Sequence, residues 1–137
     1  MLKKTVNYTN FDDVTCSETL YFNLTEAELM EWQLSDNGGL AGYIQGIIDT
    51  NDQAKAGELF KKILLKSYGE KSSDGKYFMK SEEISKRFEC SPAYSVLYME
   101  LIGDAKAASD FVNGLLPKSL VERANQENSR QMIAPAN

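Results

Sequence analysis

Serines, glycines and lysines gather in SYGEKSSDGKYFMKS, residues 67–81, and these are the residue types from which a phosphate-gripping loop is built. Such a loop aims successive backbone N–H groups at one anion, normally between a buried strand and the N-terminus of a helix. Neither G-x-x-x-x-G-K-[ST] nor G-x-G-x-x-G occurs here, and the segment follows a strongly periodic helical stretch. Gly69 therefore reads as a helix cap, Asp74-Gly75 as a turn, and the whole as a solvated connector.

Nucleophilic chemistry fares no better. The 137 residues include no histidine, which removes the commonest general base and the commonest transition-metal ligand. A serine–lysine pair would have to come from Lys66, Ser67, Ser72 and Ser73, which are ordinary exposed types. The adjacent carboxylates Asp12 and Asp13, or Glu82 and Glu83, diverge on a strand or helix and read as turn and helix-start residues. Cys16 and Cys90 are the only cysteines; they cannot close a zinc site and read as reduced, buried thiols. These residues predict no enzyme, no catalytic residue, no metal and no cofactor.

Composition narrows the classes further. A chain with 42% hydrophobic and 26% charged residues lies in the globular range, and its length suits one domain. The net charge of −5 repels polyphosphate on average, so nucleic acid is not expected as a partner. No apolar run approaches the length of a membrane span or a signal peptide, which points to the cytoplasm and away from a membrane. Lys61, Lys62, Lys66, Lys71, Lys76 and Lys80 outnumber Glu70 and Asp74 locally, a basic face that reads first as solvated helix surface.

The elements that must position any site follow from pattern. KKTVNYT and VTCSETLYF are rich in Val, Thr and aromatics and flank the turn residues Asn10, Asp12 and Asp13, predicting an antiparallel hairpin. A lone hairpin is marginal in water, so it should pack on helices or pair with a further strand. Thr25 and Glu28 form a capping box that starts a helix at Glu26, and Gly38-Gly39 stops it. LAGYIQGIID predicts a short helix, and Ala56, Leu59, Phe60, Ile63, Leu64 and Tyr68 form the longest apolar stripe. Ser81, the pair Ser91-Pro92, and Gly103-Asp104 mark three more helix starts. The expectation is an α+β domain over residues 1–117, an N-terminal β-hairpin followed by a bundle of about five or six short helices. Residues 118–137 read as a polar C-terminal tail.

The stretches ETLYFNLTEAELMEWQLSDNGGL, LFKKILLKSYGEKSSDGKYFMKSEE, FECSPAYSVLYMEL and DAKAASDFVNGLLP, which cover most of residues 18–117, together resemble the tail assembly chaperones of long-tailed, siphovirus-like phages and prophages of Gram-positive bacteria. The resemblance implies a non-enzymatic helper in the host cytoplasm, absent from the mature virion, that binds the tape-measure protein and keeps it soluble while the tail tube assembles. It leaves room for three further partners: the tail-tube protein, a frameshifted longer form of the chain, and a second copy in a homo-oligomer. The alternative reading is a structural tail component retained in the virion.

A tape-measure protein carries long helices with apolar stripes, and a groove of large apolar side chains would cover such a stripe. Size and stripe position select Trp32, Tyr43, Phe60, Tyr94, Tyr98 and Phe111 for that groove. The open edge of the hairpin is a second contact candidate.

Overall fold

In the computed structural model, which describes residues 1–35 and 38–117, a four-stranded sheet is packed on one face by helices. The hairpin comes first, β1 (Leu2–Thr9) and β2 (Thr15–Phe22), paired along its whole length from Leu2 with Phe22 to Thr9 with Thr15. Alternation decides its two faces. Val6, Leu20 and Phe22 point inward and are buried, while Thr5 and Thr19 meet through their hydroxyls on the solvent side, 3.2 Å apart.

The hairpin does not stand alone. Its second strand pairs with β3 (Tyr68–Lys71), Phe22 against Tyr68 and Tyr21 against Gly69, and β3 pairs in turn with the short β4 (Phe78–Met79). The segment that reads as a connector is thus a small hairpin that extends the sheet, turning at Gly75 with φ +75°. Gly69 is a strand residue here and not a helix cap: a Cβ on it would fall 2.7 Å from the Phe78 ring and 2.8 Å from the Met79 carbonyl oxygen. Close cross-strand approach, rather than a left-handed turn, accounts for this glycine.

Six helices fill the rest of the described chain: α1 (Glu26–Ser35), α2 (Gly39–Asp49), α3 (Gln53–Ser67), α4 (Glu82–Glu89), α5 (Pro92–Ile102) and α6 (Ala105–Leu115). Their starts are chemically marked. Thr25 Oγ1 accepts from the Glu28 N–H and the Glu28 carboxylate accepts from the Thr25 N–H, the reciprocal pair that the sequence suggests. Asp52, Ser81, Ser91 and Asp104 each accept backbone N–H groups at the starts of α3, α4, α5 and α6. Each such cap contributes about 1 kcal/mol. Gly38 and Gly39 sit at φ +81° and +61°, conformations that side-chain-bearing residues avoid, where the chain passes into α2.

The core lies between the sheet's inner face and the helices. Phe22 is fully buried at its centre and meets three rings edge-on: Tyr68 at 5.6 Å, Phe88 at 5.8 Å and Phe111 at 5.0 Å between centroids. Tyr68 and Phe88 stack at 3.9 Å, so sheet, α4 and α6 share one aromatic cluster. The cysteines depart from expectation, Cys16 being half-buried and Cys90 exposed, and both are free thiols. The segment set apart as a polar tail, residues 118–137, lies outside the described residues.

Candidate partner-binding groove

Two helical hairpins, α2 with α3 and α5 with α6, flank a groove of about 690 Å³. Ile44, Ile47 and Ile48 of α2 form one part of its wall and Ala56 and Phe60 of α3 another. Leu101 and Ile102 from the end of α5, with Ala105, Ala108 and Val112 of α6, close the opposite side. Gln53, Ser109 and Asn113 supply the polar groups, and none of the described lining residues is charged.

Helix geometry explains why this surface stays open. Neighbouring apolar residues such as Ile47 and Ile48, or Leu101 and Ile102, point about 100° apart, so one stripe cannot bury both. Leu101 is buried in the core, while its neighbour Ile102 is 46% exposed, and Ile48 is 68% exposed. An isolated exposed isoleucine needs no explanation, but several converging on one concave, uncharged surface form a contiguous apolar patch, a candidate for contact with another chain. The alanines Ala56, Ala105 and Ala108 keep the walls low, which lets a partner backbone approach closely. The arrangement suits a helix laid in a groove through aliphatic side chains one turn apart.

The six aromatic residues singled out from the sequence fall into three places. Phe60 lines the groove, its ring lies 6.3 Å from that of Phe111, and both are buried. Trp32 and Tyr43 pair edge-on at 5.0 Å, both buried where α1 meets α2. Tyr94 and Tyr98 stack at 5.8 Å along α5 and are half-buried, with the Tyr98 hydroxyl pressed against Gly57 of α3. The groove is therefore aliphatic, with one of the six in its lining. The signal for it in the sequence was the doubled apolar positions, Ile47-Ile48 and Leu101-Ile102, which make a helix stripe wider than one core contact needs.

Two shallower depressions share Lys66. The smaller, about 220 Å³, is lined by Leu24, Glu28, Glu31, Trp32, Ser35 and Lys66. The other, about 340 Å³, is lined by Tyr43, Lys62, Leu65, Lys66 and Ser85. Lys66 and Lys62 lie over the Trp32 and Tyr43 rings, 5.1 and 5.6 Å from their centroids. Nearby, Lys80 donates to Glu28 and to the Asn23 carbonyl oxygen; burial lowers its ammonium below the ordinary value while Glu28 pulls the other way. In the smaller depression the Ser35 hydroxyl donates to the Trp32 carbonyl oxygen at 3.4 Å. Among the described residues no group of three or more His, Cys, Asp or Glu is placed to hold a metal ion, and no helix is long and apolar enough to cross a membrane.

A family model described as phage tail assembly chaperone matches residues 1–136. No curated protein and no solved structure gives a match.

Proposed function

The chain belongs to the phage tail assembly chaperone family, and we propose that it acts by laying an apolar helical stripe of the tape-measure protein into the groove between the α2–α3 and α5–α6 hairpins. The observation that carries this reading is the uncharged aliphatic lining of that groove, with Ile48 and Ile102 left exposed. A client helix would remove those side chains from water, each buried methylene contributing about 0.8 kcal/mol, and its own stripe would be hidden from other chains. Shielding of this kind keeps an aggregation-prone protein soluble while tube subunits polymerise around it. It is noncovalent, needs no cofactor, and takes place in the cytoplasm of the host, the chaperone leaving before the particle is complete. The match to a chaperone family supports this over a subunit retained in the virion.

Of the six aromatic residues Phe60 alone lines the groove, and at 5% exposed it forms the floor beneath the aliphatic side chains that would touch the client. Phe111 supports it from behind, and Trp32, Tyr43, Tyr94 and Tyr98 act through the fold. Amide hydrogen exchange tests the assignment: adding tape-measure protein should slow exchange in α2, α5 and α6 more than in the β1–β2 hairpin. Protection confined to the sheet would move the client site elsewhere.

A further inference from the structure

Helix α3 presents two contrasting faces. Gln53, Ala56 and Phe60 line the aliphatic groove, whereas Lys62, Leu65 and Lys66 line the depression against α2 and α4. At 3.6 residues per turn the two sets centre on directions about 160° apart. A helix laid in the groove therefore leaves the depression uncovered.

The lysines of the depression differ from ordinary solvated ones in two ways. They are unclaimed: Lys61 is committed to Glu89 at 2.8 Å, but Lys62 and Lys66 are exposed and form no ion pair among the described residues. Glu58, one turn before Lys62, and Glu31, which lines the smaller depression with Lys66, pair with neither. They are also held in place, Lys62 Nζ at 5.6 Å from the Tyr43 ring centre and Lys66 Nζ, one turn on, at 5.1 Å from that of Trp32. A ring occupies one side of an ammonium and leaves its remaining N–H donors to an anion. Cations already positioned lose less freedom when that anion arrives. Beside them Tyr43 and Leu65 supply an apolar floor, and Ser85 of α4 adds a hydroxyl.

Carboxylates on a polypeptide suit this pattern better than a nucleic acid does. The depression offers two cations on a chain of net charge −5, which repels a polyphosphate backbone as a whole, and its floor takes an apolar side chain. We propose that this face docks an acidic peptide segment of a partner protein, with two carboxylates on Lys62 and Lys66 and an apolar side chain on Tyr43 and Leu65. The chain thereby holds a second polypeptide on the side of α3 opposite the client groove. The two sites share no lining residue, so failure here would leave the client reading untouched.

Trp32 is the only tryptophan of the chain and lies under Lys66, so its emission reports on this site. Titrating the full chain with a blocked peptide, one phenylalanine between two pairs of glutamates, should give a saturable change in that emission, weakened by added salt. Calorimetry on the same peptide reads the variants. Lys62→Ala with Lys66→Ala should weaken binding about tenfold, and Lys62→Arg with Lys66→Arg should retain most of it. Lys76→Ala with Lys106→Ala removes equal charge elsewhere and should leave affinity within about twofold. Four results would overturn the proposal: no saturable binding, equal affinity for a peptide with glutamines in place of the glutamates, an equal loss in the Lys76 and Lys106 variant, or tighter binding of a single-stranded oligonucleotide at the same lysines.

Discussion

Lys80 Nζ lies 2.5 Å from Glu28 Oε2, so one ion pair fastens the residue after β4 to the first turn of α1 across 52 positions of sequence. The same ammonium donates to the Asn23 carbonyl oxygen at 2.6 Å. Burial pushes the Glu28 carboxyl up, but the Lys80 ammonium and the Thr25 N–H outweigh it and hold it below the ordinary 4.5. A depressed carboxylate contributes its full stability above the unfolded value and loses it as pH falls through the lower folded value. Lys80→Met removes the chief donor. The variant should lose about 1 kcal/mol at neutral pH, toward the low end for a charged hydrogen bond because 34% of the Glu28 side chain is exposed. Urea titrations at neutral and acid pH should also show a shallower loss of stability below pH 4.5.

Gly69→Ala tests the β3–β4 extension. The new methyl group would meet the Phe78 ring and the Met79 carbonyl oxygen at under 3 Å, and the backbone oxygen cannot swing aside. Overpacking of this kind costs about 1–3 kcal/mol. Amides of β4 should lose hydrogen-exchange protection before those of β1 and β2. Unchanged protection at Met79 would mean the hairpin accommodates the methyl group.

Phe22→Ala removes the ring on which Tyr68, Phe88 and Phe111 converge. The loss should be about 3–5 kcal/mol, a large share of the stability of a domain this size. Thermal denaturation should show a strongly lowered midpoint. A change under about 1 kcal/mol would contradict its place at the centre of the core.

Local chemistry made much of this fold legible in the sequence. Thr25 with Glu28, Ser81, Ser91 before Pro92, and Asp104 each act on groups within three residues, so the helix starts could be read without tertiary information. The turn at Asn10, Asp12 and Asp13 was equally local. The small hairpin β3–β4 was not. YGEK has little strand propensity of its own, and pairing with Tyr21 and Phe22, more than 40 positions earlier, decides its conformation. Gly69 consequently looked like a helix cap when its role is to make room for Phe78.

The candidate site was legible in part for a related reason. Aromatic side chains are the largest apolar groups, and the fold uses Trp32, Tyr43, Phe60 and Phe111 for its own interior. The faces left over are aliphatic, and which of Ile47, Ile48, Leu101 and Ile102 remain exposed depends on how two helical hairpins sit against each other. Only the structure supplies that relation.

Co-expression with the tape-measure protein tests the groove between the α2–α3 and α5–α6 hairpins most directly. Ile48→Lys with Ile102→Lys places two charges in the aliphatic lining at the last turns of α2 and α5, where a cation complements the helix dipole and the fold should survive. With circular dichroism confirming a folded variant, the soluble fraction of tape-measure protein should fall to the level found without chaperone, while wild type keeps it in solution. A folded double variant that solubilises the tape-measure protein as well as wild type does would contradict the account.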